Sequence, residues 1–449
     1  MSSAIGVIGL LLAIACLIVL SYKGINAFVA SMIASIIVIV TNMLPSGESF
    51  WAPFTGSYAS SMMSFVGSYF LLFGLAAAYG EFMKVSGSAE SVAATLFKLF
   101  GVRWAPLACL LVTLLMAMGG ISAFVIVFAV YPVAAPLFRK ANITKELMPG
   151  IFLCASVTLC LCLPGNPTST NALLTREQYG LGVNAYSAPV MGIIACIVGV
   201  VLAGVYITWQ AKRQTARGNG YVVSGTDSLE EADKNLPPFW SSILPLVVVI
   251  VMMFCLKGIM GTVDCINTSL CVAMILVVLF NPKVFFGSQK VSSVIKTFTN
   301  GFWSSFTALF LTAGVMGFAG VVQAAPGFLY FVDFANSLST TFNPYISASV
   351  AVNVVAGITG TALGGLQIFA DTLLPNYINL GINPEAFHRL LTIACCGLDT
   401  LPHCATFITM CSVCGVTVKG SYKHVFPMTV VMPILLTILC ICLISVGII

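Results

Sequence analysis

Apolar runs of 17–25 residues recur along the whole chain, and that recurrence limits the fold more than any other feature. A helix needs about 20 such residues to cross roughly 30 Å of hydrocarbon. With 59% of 449 residues hydrophobic and only 7% charged, the chain lacks the charge a water-soluble surface requires. The first run, 4–21, has no basic region before it and no small-residue cleavage site after it, so it reads as a span rather than a removed signal peptide. The only long polar stretch is 211–238. The lipid bilayer is therefore the first partner to expect.

A net charge of +5 mainly reports orientation in such a chain. No basic-aromatic patch points to nucleic acid. The sixteen cysteines fall mostly inside apolar spans, where they behave as small hydrophobes. Cys411 and Cys414 have metal-like spacing, but no second pair accompanies them and their neighbours are apolar, so helix packing is the reading. No metal site is expected.

An internal repeat emerges at an offset of 238–240 positions. Gly119 and Gly120 then fall opposite Gly357-Ile-Thr-Gly360, Ile143-Thr-Lys-Glu146 opposite Ile382-Asn-Pro-Glu385, and Leu163-Pro164-Gly165 opposite Leu401-Pro402-His403. Residues 1–210 and 240–449 read as two copies of one plan, joined by a linker at 211–239. Each copy opens with two spans (4–22 and 25–43; 240–257 and 266–281) and a third (61–83; 302–323). A short amphipathic segment leads to two arms around a glycine-rich tip: 103–118 with 121–138, and 342–356 with 361–377. Arms this short read as re-entrant hairpins. A broken helix (146–178; 385–417) and a last span (187–210; 425–447) complete each copy. The predicted fold is an all-α polytopic membrane protein of two inverted-topology repeats, each with five spans, one hairpin and one broken helix.

Five crossings per copy invert the second copy relative to the first. Sixteen lysines and arginines then fall on one face, and only Arg176, Lys257 and Arg389 on the other. The positive-inside rule makes the linker cytoplasmic and leaves both termini outside.

Interrupted backbone at mid-membrane is costly unless it lines a cavity, and the interruptions come in a matched pair. Leu163-Pro-Gly-Asn-Pro-Thr-Ser-Thr-Asn171 breaks one apolar helix with two prolines, and Asp399-Thr-Leu-Pro-His-Cys404 breaks the other around Pro402. Paired breaks point to substrate and ion sites in inverted-repeat carriers. A helix restarting after a break aims free N–H groups at the gap, which suits a carboxylate. Asn166, Thr168, Ser169, Thr170 and Asn171 add directional hydrogen-bonding groups. The hairpin tips contribute Gly119, Gly120, Ser122, Gly357, Thr359, Gly360 and Thr361, whose glycines either admit close backbone approach or serve helix packing. Thr400 and Pro402 complete the second break.

Asp399 and His403 are the titratable pair at a break. An intramembrane carboxylate is a functional candidate: either it couples proton movement, with His403, or it caps the restarted helix. His388 and His424 are expected at the membrane interface, Glu81 in a surface pair with Lys84, and Asp371 is a lesser candidate. No lysine or arginine falls at a break or a tip, which favours a monocarboxylate or small zwitterion over a multiply charged ligand.

Phe73-Gly-Leu-Ala-Ala-Ala-Tyr-Gly-Glu-Phe-Met-Lys-Val-Ser-Gly87, Met118-Gly-Gly-Ile-Ser122 and Leu163-Pro-Gly-Asn-Pro-Thr168 resemble the gluconate permease (GntP) family, within the ion transporter superfamily. The resemblance implies a proton-coupled symporter of a bacterial inner membrane, similar to carriers of sugar acids, D-serine and hydroxy acids. It also implies a homodimer with a fixed scaffold and an elevator-like moving domain. Gly120, Ser122, Asn166, Thr168, Ser169, Thr361, Thr400 and Pro402 are the site residues it carries over. Family members often have His-Pro-Gly-Pro where this chain has Leu163-Pro-Gly-Asn-Pro, which favours a shorter, less polar hydroxy acid than a sugar acid. The expectation is a non-enzymatic symporter of a small hydroxy-monocarboxylate such as a hydroxybutyrate or gluconate, with no cofactor beyond the coupling ion, H+. The alternative is Na+ coupling of a carboxylate or D-serine-like zwitterion.

Overall fold

Local chemistry sets where the helices start and stop. Asn26, Asn343 and Asn383 each accept a backbone N–H of the first turn they precede, and Pro344 and Pro384 occupy first helical positions where no donor is lost. Gly360 and Gly415 end helices in the left-handed region, at φ 62° and 60°. The computed structural model describes residues 2–23, 25–47, 49–101, 104–121, 123–223, 236–256, 259–286, 291–330, 342–378, 380–402 and 404–449. Ser122 and His403 lie outside the described residues, as do Arg103, Lys234, Lys257 and Lys290 of the charge tally.

Among the described residues all regular structure is helical. The first half runs α1 (Ser2–Tyr22), α2 (Ala27–Val38), α3 (Phe54–Val85), α4 (Ser88–Phe100), α5 (Ala105–Met118), α6 (Ala123–Lys140), α7 (Lys145–Cys162), α8 (Ser169–Leu173) and α9 (Pro189–Ala216). The second runs α10 (Phe239–Leu256), α11 (Thr262–Phe280), α12 (Val291–Ala324), α13 (Pro344–Thr359), α14 (Ala362–Thr372), α15 (Pro384–Ala394), α16 (Ala405–Cys414) and α17 (Val418–Val446). Six helices among the described residues are long and apolar enough to cross a membrane. On α9 the residues Val190, Ile193, Ile197, Val201 and Val205 follow helical spacing and are all exposed. An apolar stripe of this kind suits lipid.

The two longest helices, α3 and α12, pair with each other, while α2 packs on α12 and α11 on α3. Small residues let the pair approach: a Cβ on Gly301 would overlap the backbone of Ala78, and one on Gly320 the side chain of Ser61. Both helices begin earlier than the apolar runs 61–83 and 302–323 indicate, because the turns before those runs carry Thr55, Ser57, Lys296 and Asn300. Likewise α9 continues to Ala216, into the stretch expected to be linker.

The hairpin arms fall close to expectation. α14, at 11 residues, is about 17 Å long and cannot cross the hydrocarbon. The broken helices differ in detail: the helix restarting after the first break is α8, only five residues long, and the second break opens already at Cys395.

Candidate functional site

Both breaks and both hairpin tips meet at one cavity of about 540 Å³. Its far wall is the paired helices, through Leu72, Phe73, Ala76 and Ala77 of α3 and Ser304, Ser305 and Thr307 of α12. The near wall brings together Gly120, Thr168, Ser169, Thr170, Gly360, Thr361, Asp399 and Thr400, eight of the sequence-derived candidates.

Helix N-termini converge there. The first residues of α6 (Ala123), α8 (Ser169) and α14 (Ala362) line the cavity, as does Thr406 in the first turn of α16. Each N-terminus presents the positive end of a dipole, although Thr168 Oγ1 takes one N–H of α8 and Asp399 one of α14. Ser156, Thr406 and Thr409 add hydroxyls around the same space.

Asp399 is nearly enclosed, at 5% exposure. Thr400 Oγ1 donates to its Oδ1 at 2.7 Å, and the backbone amides of Ala362 and Thr400 also donate to the carboxylate. The capping expectation is thereby corrected in its target. Cys404 stands at the start of α16, whereas Asp399 serves the start of α14 and so ties the second break to the second hairpin.

The other candidates separate into frame and lining. Asn166 is fully buried; its Nδ2 donates to Leu163 O at 2.7 Å and its Oδ1 accepts from Thr168 Oγ1 at 2.5 Å. Asn171 Nδ2 donates to Asn166 O at 2.9 Å and Ala185 O at 3.3 Å. Both asparagines bond to the interrupted backbone, and neither lines the cavity. Gly119 packs against Leu246, and Gly357 lies 3.0 Å, by its virtual Cβ, from Leu398. Gly120 (φ 84°) reaches the cavity beside Pro167. Pro402 does not line the cavity. We expect Asn166→Ala to lower stability by about 1–3 kcal/mol, because Leu163 O and Thr168 Oγ1 each lose one of their two partners. Ser169→Ala should instead weaken ligand binding at unchanged melting temperature; thermal unfolding with and without ligand separates the two.

Three sequence expectations are corrected by burial. Arg389, counted on the outer face, is fully buried and its guanidinium donates to Leu161 O (3.0 Å), Leu163 O (3.3 Å), Ala185 O (2.9 Å), Ser187 O and Asn171 Oδ1. The first break therefore does have an arginine, supplied from α15. His388 and His424, expected at the interface, are both fully buried. His388 Nε2 lies 3.0 Å from Asn171 O, and His424 Nδ1 lies 2.9 Å from Gln210 Nε2. Free carbonyls and amides inside the protein take the place of interfacial water. The Glu81–Lys84 pair forms at 3.3 Å, and both residues line the cavity.

A second, smaller cavity of about 240 Å³ lies between α3, α12 and α14, lined by Ser60, Ser61, Ser64, Ser68, Gln323 and Asp371 among others. Tyr179 Oη donates to Asp371 Oδ1 at 2.8 Å, Gln367 Nε2 donates to Asp371 Oδ2 at 2.8 Å, and Tyr69 Oη donates to Gln367 Oε1 at 3.2 Å. These contacts tie Tyr69 of α3 and Tyr179 to the second hairpin. Sequence reasoning missed the hydroxyls of α12 and α16. The cluster Ser304-Ser305-Phe306-Thr307 inside an apolar run was the available signal.

A polytopic helical chain in which two broken helices and two hairpin tips bring hydroxyls and a carboxylate to one cavity has the build of a membrane transporter. The GntP family permease model matches residues 5–275, and the chain belongs to that family. Its relatives are carriers, not enzymes: it is 28% identical to the uncharacterized transporter YxjC of Bacillus subtilis (strain 168), over 94% of this chain and 95% of that one. It is 22% identical to a gluconate permease of Zymomonas mobilis, over 71% and 72% of the two chains. The fold is similar to the crystal structure of the Alcanivorax borkumensis YdaH transporter, described as having an unusual topology, with a TM-score of 0.56, 15% identity and 88% of each chain covered.

Proposed function

We propose that this GntP permease is a proton-coupled symporter of a small hydroxy-monocarboxylate, with gluconate and hydroxybutyrate as the model substrates. The observation that carries the reading is the convergence of helix N-termini and hydroxyls on one cavity whose wall includes the buried carboxylate of Asp399, with the Glu81–Lys84 pair also lining it. Amide dipoles favour an anion without requiring a cationic side chain in contact. Hydroxyls of Ser169 and Thr361 supply the directional bonds, Thr168 and Thr400 hold Asn166 and Asp399 in place beside them, and Asp399 carries the coupled proton. A relative named gluconate permease supports the organic-acid class.

In this reading the chain comprises two inverted repeats, 1–210 and 240–449, joined through 211–239. The breaks and hairpins move as one body along α3 and α12, in an elevator-like step, within a homodimer in a bacterial inner membrane with both termini outside. Purified protein in liposomes provides the test. Labelled gluconate and 3-hydroxybutyrate are offered under an imposed pH gradient or an imposed sodium gradient. Saturable uptake driven by the pH gradient is the expected result. Uptake that follows sodium and ignores pH would sink the proton assignment, and absence of carboxylate uptake would sink the substrate class.

A further inference from the structure

We propose that the buried guanidinium of Arg389 is the counter-charge for the transported anion, acting through the backbone of the first break as a positioning residue. The inference rests on the anion-carrier reading and names a buried charge behind the cavity wall, distinct from Lys84, which lines the cavity but is paired with Glu81.

Arg389 is fully buried on α15, and every acceptor it meets is neutral: the carbonyls of Leu161, Leu163, Ala185 and Ser187, and the side-chain amide oxygen of Asn171. Among the described residues the ion pairs join Lys84 to Glu81, and Lys423 and His424 to Glu146. None reaches Arg389. Glu385, one turn earlier on the same helix, accepts instead from the Ala188 amide at 3.4 Å. Carbonyl oxygens solvate a guanidinium but leave its net charge uncancelled, and an unpaired charge in a low-dielectric interior is felt at distance.

One of those acceptor residues, Leu161, belongs to the cavity wall. Its carbonyl lies 3.0 Å from Nη1, and Thr170, the residue before Asn171, lines the cavity as well. Through the Leu161 carbonyl the charge is in contact with the wall of that space. A monoanion there completes a pair with Arg389 without touching it. Asp399, which shares the cavity, competes for that field when ionised and leaves it to the ligand when protonated. Proton and anion are thereby favoured together.

A bracing role alone predicts lost stability, whereas a counter-charge predicts lost discrimination between charged and uncharged ligands. Binding of gluconate and 3-hydroxybutyrate, each against its own uncharged amide, is measured on the detergent-purified full chain. The unaltered protein should prefer the carboxylates, and Arg389→Lys should keep that preference even if it melts earlier. Arg389→Gln should reduce it about tenfold or more. Asn171→Asp sets a carboxylate where Oδ1 already accepts from Nη1, so it cancels the charge in place, and it should reduce the preference likewise. It decides the matter should Arg389→Gln fail to fold. An Asn171→Asp protein that keeps the parental preference overturns the proposal. An unaltered protein with no such preference overturns the carboxylate reading instead.

Discussion

Asp399→Asn is expected to end proton-driven accumulation while leaving exchange of substrate across the membrane measurable. Asparagine keeps the size of the side chain and one oxygen to accept from Thr400 Oγ1 and the Ala362 amide. What it loses is the capacity to bind and release a proton. For one proton moved with one monoanion, each unit of pH gradient supports about tenfold accumulation. The variant should therefore fall from roughly tenfold per unit to no accumulation, with counterflow of preloaded label still detectable. A variant that still concentrates label under a pH gradient removes Asp399 from the coupling step.

Gly365→Val carries the second large effect, this time on folding. Gly365 sits on α14 directly against α13, and a Cβ there would overlap the Cα, Cβ and N of Ala356. Backbone cannot step aside as a side-chain tip can, so the arms of the second hairpin must separate. Overpacking of this kind costs about 1–3 kcal/mol or more, and here it also displaces Gly360 and Thr361 from the cavity. Loss of monodisperse protein by size-exclusion chromatography, or a melting temperature several degrees lower, is the expected outcome. Gly56→Ala, where an added Cβ meets nothing within 4 Å, serves as the neutral control. A Gly365→Val protein as stable as the control would show that the hairpin arms are not in close contact.

The breaks and hairpin tips were legible because proline and glycine interrupt apolar runs in a way few other residues do. Starts of α3 and α12 were hidden because polar first turns lower the hydropathy of helices that are nonetheless continuous. Arg389 and His388 were misplaced for a related reason. Hydropathy registers a charge near the end of an apolar run but cannot tell solvent from the freed carbonyls of a distant break, here more than 200 positions away. The candidate site divided along the same line. Residue type identified Asn166 and Thr168 together, yet only the fold shows that the amide of Asn166 is consumed by Leu163 O and Thr168. Gly119 and Gly120 are adjacent and chemically identical, and one faces Leu246 while the other faces the cavity.

The wall of the large cavity is drawn from Leu72 through Thr170 on one side of the polar loop and from Ser304 through Thr409 on the other. Neither portion encloses a ligand by itself. Fragments made by cutting the gene between the two are therefore expected to bind ligand only when expressed together.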